Sequence, residues 1–189
     1  VDFSVAFTGG RFGEELIQSI ANTNFRIGNW KILQTDERVS SKEEDLIQSK
    51  IIKGISKCNG FSEENLIFFP FGKNYLDELE AFERRLQQSK IDELDICFLS
   101  IGEDGHLAGH FHNSRGYKNS IFCFNTNSPK PPRTRLSFKV SWLMKAKKII
   151  LVSIGQKKHK ELKRLLGRRG LHSQIIKSKD LIIITDLVM

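Results

Sequence analysis

The chain is poor in cysteine, proline and methionine, and nowhere does it carry a long hydrophobic run. Its three cysteines, Cys58, Cys97 and Cys123, are odd in number and scattered. They have neither the spacing of a disulfide framework nor that of a metal site, so reduced thiols in a cytoplasmic protein are expected. No apolar stretch approaches the ~20 residues that a membrane-spanning helix needs. Val1 already falls in a strand-like alternation, so the chain reads as starting late and without a signal peptide. Three of the four prolines fall within Ser128-Pro129-Lys130-Pro131-Pro132, which makes that one loop stiff and leaves the rest of the chain free to form regular elements. Repeats, linkers and low-complexity stretches are also missing. A length of 189 residues with 39% hydrophobic and 28% charged residues suits one ordinary domain with a proper core.

Charge is abundant but uneven. Of the net +8, the segment from Lys145 to Gly170 holds ten Lys or Arg against a single acid, Glu161, and the remainder is close to neutral. Such a segment can draw nucleic acid. With no interleaved aromatics and no reader motif it is read instead as the solvated face of a helix, whose apolar stripe is Ile154, Leu162, Leu165 and Leu166.

Strand and helix patterns alternate along the chain. Asp2–Phe7 alternates and stops at Thr8-Gly9-Gly10, before helical spacing over Glu14–Ile20. Strand, glycine pair and helix together aim free backbone N–H groups at an anion, although a glycine pair also punctuates many turns. Strands are expected at 30–35, 65–70, 96–101, 121–124, 136–140, 148–153 and 181–185. Helices are expected at 40–55, 74–90 and 141–146 and after Gly155. The order predicts an α/β fold of three layers, a mostly parallel sheet with helices on both faces.

The chemistry concentrates where the apolar run Ile96–Ile101 breaks into Gly102-Glu103-Asp104-Gly105-His106. Ligands gather at the carboxyl ends of strands in such sheets, and a turn at Gly105 can aim Asp104 and His106 into one crevice. Histidine can take up a proton near neutral pH. A bare Asp-Gly-His also fits an ordinary strand-end turn with an exposed imidazole. His106, His110 and His112 could suggest a metal, but the last two read better as rim residues.

Four motifs occur in order: Thr8-Gly9-Gly10; Asp36-Glu37-Arg38; Gly102-x-Asp104-Gly105-His106-x-Ala108-x-x-Phe111; and Ser128-Pro129-Lys130-Pro131-Pro132-x-x-Arg135. Together they resemble the 6-phosphogluconolactonases of the glucosamine-6-phosphate isomerase/deaminase superfamily, over most of the chain. The deaminase branch is the rival. It carries Asp-Glu-Tyr in the second motif and a glutamate soon after the histidine, where this chain has Arg38 and Leu107-Ala108-Gly109-His110-Phe111.

The resemblance implies a single domain over 1–189, lacking the helix that precedes the first strand in that family. It implies a monomer or weak dimer, acting in the cytoplasm on a phosphorylated sugar lactone, with no membrane or nucleic-acid partner. His106 would be the general base toward water, Asp104 would orient its ring, and Arg38 would face the charge that develops on the substrate. Gly9, Gly10, Lys130 and Arg135 would hold the phosphate, with Asp36 beside them, and neither cofactor nor metal would be needed. Arg38 and Asp36 could also form a purely structural ion pair, and Lys130 could be an ordinary surface lysine. The family places Ser-Thr-Pro where Arg11-Phe12-Gly13 stands, so Arg11 would have to supply by charge what hydroxyls supply elsewhere. A deaminase-type enzyme or a degenerate sugar-phosphate-binding homologue are the alternatives.

Overall fold

In the computed structural model the structure describes residues 2–72, 74–117 and 120–188; Val1, and with it the reading of its strand-like alternation, lies outside the described residues. Five strands form one fully parallel sheet in the order β2-β1-β4-β8-β9: β1 (Phe3–Phe7), β2 (Trp30–Gln34), β4 (Ile96–Ser100), β8 (Lys148–Ser153) and β9 (Leu181–Thr185). Period-two alternation divides their side chains between two helical layers. Val5, Phe7 and Ile32 pack with Ile17 of α1 (Gly10–Ala21) and with Ile47, Ile51 and Ile55 of α2 (Ile47–Ile55). Ala6, Leu33, Cys97, Leu99, Ile149 and Leu151 face the other way. There they meet Leu79, Phe82 and Leu86 of α3 (Tyr75–Gln88), Trp142 and Leu143 of the short α4 (Val140–Leu143), and Leu162 and Leu165 of α5 (Gln156–Leu166). The expected three layers are therefore present.

A second sheet, antiparallel and of order β3-β7-β6-β5, was not foreseen. It contains β3 (Asp36–Arg38), β5 (Arg115–Gly116), β6 (Phe122–Asn125) and β7 (Arg135–Phe138). The chain leaves the parallel sheet at Thr35, whose N–H still donates to Phe7 O at 2.9 Å while its carbonyl already accepts from Phe138 N at 3.1 Å. Asp36-Glu37-Arg38 is thus a strand of its own, carried across the mouth of the first sheet. Rings fuse the two sheets. Phe69 lies 4.8 Å from Phe82 and 4.7 Å from Phe138 between centroids, and Phe138 stacks on Trp142 at 4.2 Å. Each such buried ring contributes roughly 1.5–3 kcal/mol.

Two expected elements differ. The helix over 40–55 is broken at Leu46, which is extended, between a 3₁₀ turn at Glu43–Asp45 and α2. The expected strand 65–70 touches β2 only at a single bridge, because Arg85 takes the carbonyl of Leu66 (2.6 Å) and Gln48 that of Phe69 (3.3 Å). Ile154 is 56% exposed and precedes α5, so it does not belong to that helix's apolar stripe. No helix among the described residues is long and apolar enough to cross a membrane.

Candidate active site

The strand order reverses between β1 and β4: β2 lies to one side of β1, β8 to the other side of β4. Loops leaving adjacent strands in opposite directions open a crevice at their carboxyl ends. A cleft of about 600 Å³ occupies this point. Its walls are the Thr8–Phe12 loop after β1, the 100–106 turn after β4, β3, the proline-rich loop before β7, and the first turn of α5. All nine residues singled out from the sequence line it: Gly9, Gly10, Arg11, Asp36, Arg38, Asp104, His106, Lys130 and Arg135.

The turn that carries the imidazole is closed by its own backbone. Gly102 N–H donates to His106 O at 2.9 Å and Gly105 N–H to Gly102 O at 3.0 Å. Gly105 has φ +84°, in the left-handed region that a side chain resists. At Gly102 the reason for glycine is closeness, since a Cβ there would collide with the His106 ring. Asp104 Oδ1 hydrogen-bonds Nδ1 of His106, and this bond holds the carboxyl down at about 2. A face of the imidazole stacks on Phe111, centroids 4.3 Å apart. With Nδ1 engaged by a carboxylate, Nε2 is left as the nitrogen that can accept a proton.

Arg38 is held from one end only. Its Nη1 donates to Asp45 O at 3.0 Å, while Nε is buried without a hydrogen-bond partner. Among the described residues no ion pair joins it to Asp36, whose Oδ1 instead accepts from Thr35 Oγ1 at 2.9 Å. Arg135 is 6% exposed; its Nη1 donates to Pro132 O and its Nη2 to Lys130 O at 3.1 Å, so it stiffens the proline-rich loop from inside. Burial, with the like charge of Arg38, lowers its guanidinium to about 10. Arg11 lies at the mouth, strongly exposed, and its Nε donates to Glu15 Oε1 at 2.7 Å.

Lys158 escaped the sequence reading. It was counted with the solvated basic face of α5, yet it points inward, lines the cleft, and donates from Nζ to Ser100 Oγ at 2.8 Å. The signal was its position four residues before buried Leu162, on the same face of the helix. Burial lowers its ammonium from the usual lysine range. With Lys158 the lining holds five cationic side chains against the carboxylates of Asp36, Glu103 and Asp104. His110 also departs from expectation: it is half-buried and meets His172 edge-on, 4.8 Å between centroids, whereas His112 is an exposed residue. Among the described residues no group of three or more His, Cys, Asp or Glu side chains is placed to hold a metal ion.

A glycine loop, basic side chains and a carboxylate-bound imidazole thus meet in one cleft at a topological switch point. The family model described as glucosamine-6-phosphate isomerases/6-phosphogluconolactonase matches residues 1–183, and the chain belongs to that family. A probable 6-phosphogluconolactonase of Arabidopsis thaliana is 26% identical over 174 residues, covering 82% of this chain and 65% of that protein. The chain thus spans less than two thirds of that relative's length. A glucosamine-6-phosphate deaminase of Malacoplasma penetrans is 28% identical over 184 residues, covering 85% of this chain and 72% of that protein. The crystal structure of 6-phosphogluconolactonase from Thermotoga maritima superposes with a TM-score of 0.86 at 20% identity, covering 97% of this chain and 84% of that one; the architecture is therefore shared.

Proposed function

We propose that this chain hydrolyses 6-phospho-D-glucono-1,5-lactone to 6-phosphogluconate, as a metal-free carboxylic ester hydrolase of the oxidative pentose phosphate pathway. The carrying observation is that an imidazole buttressed by Asp104 and a cation-rich pocket beside the Gly9–Gly10 loop open into one cleft. His106 Nε2 removes a proton from water as the oxygen attacks the lactone carbonyl. The oxyanion that forms faces the guanidinium of Arg38, which lines the cleft. Collapse breaks the ring C–O bond, the imidazolium returns its proton to the leaving ring oxygen, and the new carboxylic acid ionises into solvent. Asp104 keeps the ring in the Nδ1–H tautomer.

The phosphate sits against the N-terminal N–H groups of α1, with Lys130 and Lys158 supplying charge and Arg11 capping the mouth. Arg135 adds charge while its donors hold the loop. The three cysteines are buried and unpaired, which suits the reducing cytoplasm.

The deaminase reaction is the weaker reading, because no carboxylate lies between His106 and Phe111. Proton release from the lactone tests the proposal: His106→Ala, folded, should lower kcat by about 10²–10⁴-fold. Undiminished hydrolysis by that variant, or ammonia release from glucosamine 6-phosphate by the wild-type chain, overturns it.

A further inference from the structure

Glu37 stands between two residues of the cleft, Asp36 and Arg38, yet it is fully buried and faces away from the cleft's contents. Its carboxylate is saturated by four donors. Oε1 accepts from Arg38 N and Ile47 N, both at 2.7 Å; Oε2 accepts from Gln48 N at 2.9 Å and Gln34 Nε2 at 3.2 Å. Ile47 and Gln48 open α2, whose own N-cap position, Leu46, has no side chain able to cap. Burial pushes the Glu37 carboxyl up and the N–H donors of Gln48, Ile47 and Arg38 pull it back; among the described residues no cation pairs with it. A buried carboxylate without a cation is costly, and a serine or aspartate at position 46 could cap the helix locally. Capping from β3 instead couples α2 to the strand that carries Arg38.

That coupling reaches both halves of the cleft. The turn leading into α2 presents Asp45 O to Arg38 Nη1 at 3.0 Å. The first residue of α2, Ile47, presses on the glycine loop: a Cβ on Gly9 would fall 2.5 Å from Ile47 Cδ1 and 3.4 Å from Arg38 Nη2. We infer that Glu37 is a positioning residue that sets the separation between Arg38, at the carbonyl end of the substrate, and the Gly9–Gly10 loop, at its phosphate end, and thereby the preference for a phosphorylated lactone. This rests on the function proposed above. Binding energy from the remote phosphate accelerates the reaction at the carbonyl only when both ends are held in register.

The experiment compares kcat/KM for 6-phosphoglucono-1,5-lactone with that for unphosphorylated glucono-1,5-lactone. Glu37→Gln keeps the volume but turns an NH₂ toward N–H donors, so the first turn of α2 loses part of its anchor. Both values should fall, the phosphorylated one about tenfold further, with kcat sharing in the loss. A purely structural role would reduce the folded fraction and lower both rates alike. Ile47→Ala leaves the Glu37 bonds in place and opens the Gly9 contact; it should shift the ratio in the same direction and carries the test if Glu37→Gln does not fold. A wild-type ratio in a folded variant of either kind overturns the inference alone. A wild-type chain inert toward both lactones overturns the functional proposal and this inference with it.

Discussion

Lys158, on the first turn of α5, reaches Ser100 at the end of β4: Nζ donates to Oγ at 2.8 Å, and the lysine lines the same cleft as the glycine loop. One cation from a distant part of the chain thus joins the basic side chains that line the cleft. Replacement by Met keeps the stem that packs in the wall and removes the charge. Steady-state kinetics of Lys158→Met should give a kcat/KM for the phosphorylated lactone about 10–100-fold lower, mostly through KM, because a charge-assisted contact to phosphate is worth about 1.5–3 kcal/mol. An unchanged KM would remove Lys158 from the phosphate site.

Gly102 tests the geometry of the imidazole without touching its chemistry. An added methyl collides with His106 and lies 2.7 Å from Asp104 Oδ1, so the ring must turn away from its carboxylate. Gly102→Ala should therefore lose about 10²-fold in kcat, while the thermal midpoint drops only a few degrees. A variant with normal kcat would show that the ring's placement is not critical.

Acid sensitivity should come from the far side of the same loop. His172, 2% exposed, donates from Nε2 to His110 O at 2.8 Å, and burial lowers its pKa from 6.5 to about 4. The unfolded chain binds this proton below about pH 6.5, whereas the folded chain resists it until about pH 4. Stability is therefore full above about pH 6.5 and declines as pH falls through that window, by up to about 3 kcal/mol. His110, also lowered by burial, acts in the same direction. Urea midpoints at about pH 7 and about pH 4.5 should differ clearly for the wild-type chain and much less for His172→Phe. Equal pH dependence in the two would assign the acid sensitivity elsewhere.

Phe69 separates fold from chemistry. It touches Phe82, Phe122 and Phe138 and is 1% exposed, at the seam of the two sheets and remote from the cleft lining. Phe69→Ala should cost about 3–5 kcal/mol in denaturant unfolding. Specific activity per folded molecule should stay near wild type.

The sequence by itself determined the parallel layer, because largely buried apolar strands such as 148–153 and amphipathic helices such as 75–88 leave their patterns in the residue order. It determined the imidazole turn as well, since Gly102, Asp104, Gly105 and His106 are local neighbours whose backbone closes on itself. The antiparallel sheet had no such signature: β3 and β5 are three- and two-residue strands that exist through their partners in β7 and β6. Only the tertiary structure decided which lysine of a basic helix turns inward, that Arg135 holds a loop from within, and that Glu37 caps a helix ten residues away. Each is a contact between segments distant in the chain or set by a chain reversal. The free energy of a buried charge depends on what surrounds it in space, which residue order alone does not specify.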